Sequence, residues 1–541
     1  NRSLLRAKNV TFRFFDAPIL YLPSFKSNLR VFTESPVRYR VDWDKGLWPK
    51  ISMRYRLYSW ENLDLYFRIN VRPSKGVGGA LETDYRSPTK RATFRTRSYL
   101  DHDAFYRDTN PDKAHTHYRL EGRYDASSED GRSTFLATYD WLSDKNLQTD
   151  FRSEDFELRT AKQTRIAFRN RQDWMRYGLD GKFRVNGFQG MMQELPFTFW
   201  APKPITLGES GITFENRLTG GYLDYVSARK IEPLVPDFSA VRLSSQHTLY
   251  RPFFRRGIAF TPYLGVEGVF YSDSQQSRAE FLGVLTYGAR LEGTMQREFK
   301  TLRHIFIPYI RYEGMTHPTI SPDTPYVFSI QDGFNRLNLV QPGVRNLFFL
   351  RGSSLYHPNI IFDLSAYSFF GDNTFLKTVP KLQGELNWNF PTWTLSSKLG
   401  WNFEKALLDY ANVGLAWTIN EHFAFKTEFR HRSRYDWRKN QPHNYIMEIT
   451  RDLSDLLNSP LSDGRNTLLS RLQVKIAPQW IARIESHIGW GRGGEPNYNE
   501  VKLDLITIIS TSWRLRLTFI HSPAPHKKND RFTFGISLVR N

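Results

Sequence analysis

Seven arginines sit at alternate positions in short segments of this chain: Arg54, Arg56, Arg68, Arg119, Arg123, Arg165 and Arg169. A guanidinium is a planar fork that grips phosphate or carboxylate with two parallel hydrogen bonds. The same stretches carry Asp64, Glu121 and Asp125, so each arginine has two readings, an anion contact or half of an ion pair. His115 and His117 stand two apart, a spacing that puts both on one face of a strand, where a metal could be held. No third ligand accompanies them, so a histidine pair at a loop edge is expected, with no metal and no cofactor. His304 reads as a packed lumenal residue. Neither G-x-S-x-G nor H-E-x-x-H occurs, and no catalytic residue is expected. The glycine-rich pieces KGVGG (75–79) and GRGG (491–494) read as turns rather than phosphate cradles.

The elements that carry these arginines show a period of two. In NLDLYFRINVR (62–72) Leu63, Leu65, Phe67, Ile69 and Val71 face one way, and Asn62, Asp64, Arg68, Asn70 and Arg72 the other. The pattern returns at Ile51/Met53/Tyr55/Leu57, at Tyr118/Leu120/Gly122/Tyr124 and at Phe281/Leu285/Tyr287/Ala289/Leu291. It closes the chain at Phe532/Phe534/Ile536/Leu538. About 26 such segments of about 9–12 residues can be drawn, the length a tilted strand needs to cross a bilayer. Tight links such as SWEN (59–62) and SSEDGR (127–132) alternate with long polar ones at 101–114, 143–160, 228–238, 316–339, 434–443 and 452–466. That asymmetry is expected of an outer-membrane barrel.

Composition agrees. The chain has 541 residues, 15% of them aromatic, a net charge of +20 and no cysteine. Mean hydropathy is −0.52, too polar for a helical membrane bundle. A spanning helix needs about 18 consecutive apolar residues, and no run approaches that. The charge suggests an anionic partner. Because it is interleaved with apolar residues strand by strand, nucleic acid is not expected. Trp48, Trp60, Trp141, Trp200, Trp388, Trp480 and Trp490 fall near segment ends, as an interfacial girdle requires. A soluble all-β protein is the rival reading, but it would split into domains of about 100 residues with linkers, and none is evident from Val37 to Arg540. Expected, then, is an all-β chain: a large antiparallel transmembrane barrel at 31–541 preceded by a separate strand pair at 1–30.

Several stretches resemble the LptD family of lipopolysaccharide-assembly proteins of the Gram-negative outer membrane. DAPILYLPSF (16–25) is similar to the end of that family's periplasmic jelly roll. ESPVRYRV, GLWPK and SWENLDL (34–65) resemble the start of its barrel. TYDWLSDKNLQTDF (138–151), QELPFTF (193–199), LRHIFIPYIRYEGM (302–315) and FSIQDGFNRLNLVQPGVRNLFF (328–349) follow in the family's order. The resemblance implies a barrel of 26 strands that delivers lipopolysaccharide to the outer leaflet. It also implies an LptE-like lipoprotein plug in the lumen and an LptA-like periplasmic bridge. Family members join the periplasmic domain to the barrel through disulfides; with no cysteine, this chain cannot.

Pro36 and Pro49 match prolines of the family's first two barrel strands. Proline donates no ladder hydrogen bond, and each bond missing at the closure is worth about 0.5–1.5 kcal/mol. They are expected to loosen a lateral gate between first and last strands, with an inert proline at a strand start as the alternative. On the same reading the arginine set meets lipopolysaccharide phosphates. A general porin or a ligand-specific outer-membrane transporter would share the pattern, and a barrel hydrolase is the remaining alternative.

Overall fold

The computed structural model describes residues 4–14, 17–28, 37–44, 50–60, 62–73, 76–103, 115–144, 164–228, 237–321, 324–326, 328, 334–351, 357–371, 373, 375–436, 453–458, 464–491, 497–508, 513–524 and 527–538. Leu4–Phe14 and Ala17–Asn28 pair as an isolated antiparallel hairpin. Among the described residues, the strands from Val37 to Leu538 join one closed antiparallel barrel of 29 strand segments. Three short segments, Ile205–Thr206, Phe253–Arg255 and Met295–Glu298, continue the strand before them across a break and pair with the same neighbour. The wall is therefore 26 staves, as the alternation predicts.

Closure satisfies the backbone of every stave inside the wall, the condition for crossing hydrocarbon. The faces sort as the period of two requires. On Gly76–Arg86, Val77 and Leu81 are 59% and 46% exposed, whereas Ala80 and Glu82, on either side of Leu81, are 3% and 2% exposed. Leu100, Ile166, Leu179, Leu243, Leu264 and Leu285 repeat the outward apolar pattern around the wall. The apolar side thus faces out, where only lipid can cover it, and the charged side lines the interior. This is an outer-membrane β-barrel.

The two rims differ. Tight turns such as 87–91, 128–132, 172–174 and 390–392 close one rim; the connections at 227–237, 316–336 and 433–464 lie on the other. By the usual orientation the short turns are periplasmic. In the 128–132 turn Gly131 takes a positive φ of 68°, which glycine adopts without strain. Asp130 accepts from the Ser128 hydroxyl (2.5 Å) and from the Arg132 amide (3.0 Å), which together hold its carboxyl below the usual range. Trp141 and Trp490 end strands at the loop rim; Trp480, and Trp388 with Trp393, lie at the turn rim. Trp48 lies outside the described residues.

Wall height is uneven. Thr213–Val226, Ile258–Tyr271, Glu280–Gly293, Leu302–Met315 and Leu337–Leu350 each run 14 residues, but the first stave, Val37–Asp44, has only eight. Bulges shift the register at Arg56/Tyr58, Asp180/Lys182, Glu194/Phe197, Gly400/Trp401 and Lys475/Ala477. The first of these makes Leu57 the extra residue, so the regular alternation expected at 51–57 stops at Arg56. KGVGG, expected as a turn, opens a strand at Gly76 instead. Of GRGG only Gly491 lies within the described residues; its φ is 63°.

Candidate functional site: the lumenal wall and the seam

Residues directly opposite each other in an antiparallel ladder share a face. One lumenal row therefore runs Arg54, Arg68, Ala80, Tyr99, Arg119 and Leu142 across six staves. A second runs Asp64, Asp84, Arg95, Arg123, Thr138 and Arg165. Between them lie Tyr66, Glu82, Arg97, Glu121 and Asp140.

Carboxylates hold most of these cations. Arg54 and Arg68 each reach Glu82 at 2.7 Å, and the Arg54 guanidinium also lies over the Tyr66 ring at 3.6 Å. Arg119 forks onto Asp140 at 2.8 and 2.9 Å; it is 2% exposed and Asp140 is fully buried. Arg165 grips Asp180 at 2.5 Å, with Arg169 further off at 3.9 Å. Arg123 pairs with its own neighbour-but-one Asp125 at 2.6 Å. Arg56 stands opposite Tyr66 on the same face. Arg54, Arg68, Arg119, Arg123, Arg165 and Arg169 thus lie within ion-pair reach of wall carboxylates. Sequence reading named Glu121 and Asp125 among the partners but missed Glu82, Asp140 and Asp180, which sit on neighbouring staves whose register no local pattern fixes. It also missed Arg95, whose side chain is 58% exposed and 3.7 Å from Asp84.

Pro36 and Pro49 lie outside the described residues. The first two staves begin at Val37 and Lys50, each one residue after a proline. Six pairs join the first stave to the last, from Tyr39↔Ile536 to Asp44↔Arg531, and six join it to the second. The last stave makes twelve pairs with the one before it, and Leu302–Met315 makes fourteen with Leu337–Leu350. One other interface, between Ser133–Leu142 and Thr164–Arg171, also has six. The first stave is the one held by six on both sides. Among the described residues the seam stops at Arg531, leaving 527–530 of the last stave unmatched there. The second strand of the N-terminal hairpin lies against the second stave, beside this seam.

At the loop rim the connection after Leu302–Met315 turns inward. Phe334 joins Val269, Tyr271, Leu282 and Val284 in a buried cluster, with Ile320 and Phe328 packed on it. Tyr326 stacks on Phe238 at 4.8 Å, and Phe238 on Tyr225 at 5.1 Å. These wall residues face the lumen, so the loop caps part of the mouth. The signal was present in the sequence: Leu282 and Val284 are apolar on a face that is otherwise ionic.

The histidines do not form a centre. His102 and His115 rings lie 5.9 Å apart, and His117, buried, bonds through Nδ1 to Asp144 at 2.7 Å. Ser143 donates to that same carboxylate rather than to the histidine, so the three are not a nucleophilic triad. No metal-ligating group of three or more is found among the described residues. His304 corrects the expectation: it shares a row with Phe348, in phase with the exposed Ile310, and therefore faces outward, stacked on Phe348 at 4.4 Å.

No family model matches the chain, and no curated protein matches it significantly. Among solved structures, the siderophore receptor PirA of Pseudomonas aeruginosa is similar over 93% of this chain and 80% of its own, at 10% identity and a TM-score of 0.31. PiuA of Acinetobacter baumannii is similar over 93% and 81%, at 7% identity and 0.30. A triple mutant of Rh. blastica porin covers 60% of this chain and 99% of its own, at 10% identity and 0.22. With superpositions this loose, it is the closed ladder and its outward apolar face that establish a large antiparallel barrel of the outer-membrane kind.

Proposed function

We propose that this barrel passes lipopolysaccharide to the outer leaflet, sugars through the lumen and acyl chains through a lateral gate between the first and last staves. One observation carries the reading: Val37–Asp44 is held by six pairs on each side, in a wall whose interfaces reach fourteen. A ladder hydrogen bond contributes about 0.5–1.5 kcal/mol net, so the shorter join opens at lower cost. The stretches that resemble the lipopolysaccharide-assembly family flank this seam at 34–65. The N-terminal hairpin beside it suits the last piece of a periplasmic jelly roll, through which an LptA-like bridge would deliver the lipid. A lumen of 26 staves leaves room for an LptE-like plug, since barrel diameter grows with strand number. No bond is made or broken in this process.

The chain has no cysteine, so a crosslink can be placed without background. Val41→Cys with Phe534→Cys, directly opposed across the seam, should stop the appearance of lipopolysaccharide on the cell surface under oxidising conditions and release it on reduction. Leu399→Cys with Ala411→Cys, opposed in another interface, should leave delivery intact. A general porin would pass its solutes equally well with the seam locked, and undiminished lipopolysaccharide delivery in the locked protein refutes the gate.

A further inference from the structure

The outer wall carries a trough on the side opposite the seam. It crosses the tenth to fourteenth staves, from Met191–Pro202 to Glu280–Gly293, and has a volume of about 610 Å³. Its floor is set by small residues: Ser245 stands directly opposite Gly268, with Gly220 on the stave before. Leu243 and Phe270 rise on the loop-rim side of that floor and Val266 on the turn-rim side; Trp200 closes one end and Phe281 the other. Trp200 lies two residues from the turn-rim end of its strand, and Phe281 one residue from the loop-rim end of its own. The trough therefore runs obliquely through the apolar belt. Four inter-strand steps of about 4.8 Å give a span of about 19 Å, comparable to an extended long acyl chain. No charged residue lines it.

Polar atoms sit on its turn-rim side, in a wall that faces hydrocarbon. Ser245 Oγ and His247 Nε2 are 2.6 Å apart, and the His247 ring stacks on Phe214 at 5.8 Å. Asn216, directly opposite His247, has its Oδ1 shut away with no hydrogen-bond partner among the described residues. None binds His247 Nδ1 either. Wherever the shared proton lies, the serine–histidine pair keeps a further N–H or O–H to donate. A polar donor on a lipid-facing wall is costly, and a ligand oxygen that accepts from the Ser245–His247 pair removes that cost.

We infer that this trough is a binding site for a diacyl glycerophospholipid of the leaflet beside the short-turn rim. One acyl chain lies over Ser245 and Gly268 between Trp200 and Phe281, and an ester carbonyl takes the hydrogen bond offered at His247. The apolar lining free of charges, within the membrane belt, fits a lipid chain. The Ser245–His247 pair on the turn-rim side sets which leaflet supplies it.

The test uses the full chain reconstituted in phosphatidylethanolamine–phosphatidylglycerol vesicles, re-extracted, and weighed by native mass spectrometry. Wild type should keep one phospholipid per chain, and His247→Leu and Gly268→Leu should each lower that occupancy at least about tenfold. Heat-modifiable gel migration reports folding of each variant. A photoreactive residue at Leu243 in the otherwise unchanged protein should crosslink phospholipid in cells, and the same residue at Leu399, on a distant stave, should not do so above background. Equal retention in wild type and folded variants overturns the site, as does equal crosslinking at the two positions. Capture at Leu243 of lipopolysaccharide or of a second copy of this chain does so too.

Discussion

Arg54 and Arg68 stand directly opposite each other across the second and third staves, two like charges on one face, and both hold the same carboxylate. Like charges so placed repel. Glu82 lies on the next stave, 2% exposed, with one oxygen at 2.7 Å from each guanidinium. Three staves are thereby fastened by one acid, close to the seam. The same device recurs where Arg119 and Asp140 join two further staves in a fully buried fork. The sequence left each arginine two readings, an anion contact or half of an ion pair; the register shows a lattice in which the most buried arginines are paired.

Glu82→Gln should therefore act on stability before transport. It leaves two partly buried guanidinium groups without their nearest counter-charge, Arg54 keeping only Asp84 at 3.7 Å; breaking a buried pair from one side costs about 3–5 kcal/mol. Denaturant unfolding of the barrel refolded in vesicles measures it. Adding Arg68→Gln should recover part of the loss, because the two sites share a partner. A single variant as stable as wild type would show that Glu82 does not bind these staves together.

Arg95, Arg123 and Arg169 are the opposite case. Their side chains are 58%, 61% and 58% exposed, and their carboxylate contacts are either exposed or distant. Exposed pairs contribute about 0–1 kcal/mol. Replacing all three by Gln should leave the unfolding midpoint nearly unchanged yet weaken binding of lipopolysaccharide to the lumen, with a smaller dependence on salt. Transfer between vesicles at two ionic strengths reads this out. A triple variant that transfers at the wild-type rate under both conditions removes these residues from the path.

The period of two was enough to recover the barrel, the stave number and the side that faces lipid, because each strand's two solvents impress themselves on consecutive residues. Partnerships across strands were not recoverable. Arg54 meets Glu82 only because two turns set the register of three staves, and the bulge after Arg56 moves every later residue of that strand by one place. His304 shows a different limit: Arg303, Arg311 and Glu313 all fall on odd positions, so alternation already set His304 on the apolar side with Phe306 and Ile310, and its residue type alone suggested the lumen. The inward loop could have been anticipated from Leu282 and Val284, which break the ionic face. The N-terminal hairpin was visible as two strands, but no local feature of 1–30 says what they pair with beyond each other.

That loop yields a third expectation. Tyr326 and Phe328 lie against Phe238, with ring centroids 4.8 and 5.4 Å away. An aromatic pair contributes about 0.5–1.5 kcal/mol beyond its buried area. Phe238→Ala should thus raise the population of an uncapped mouth roughly 2- to 10-fold for each pair lost. In planar bilayers the variant should conduct more, or open more often, than wild type. Identical conductance traces would mean that the stacked loop does not obstruct the lumen.

The closing prediction concerns the seam. Proline's missing N–H bears on it only if the position after substitution gains a ladder partner. Pro36→Ala with Pro49→Ala offers two new donors next to Val37 and Lys50, where the first two staves start. If the residue at 36 pairs across the seam, the closure gains about 0.5–1.5 kcal/mol, enough to slow a gate-limited delivery roughly 2- to 10-fold, while the donor at 49, ahead of the second stave, tightens the first stave's other side. Amide hydrogen exchange separates this from an inert role. Protection should rise along Val37–Asp44 and Lys527–Leu538 together, because the gained bonds lie between them and their neighbours, and surface lipopolysaccharide should fall in parallel. Unchanged protection with unchanged delivery means that the prolines merely precede their strands; raised protection with unchanged delivery means that the seam tightens but the lipid leaves elsewhere.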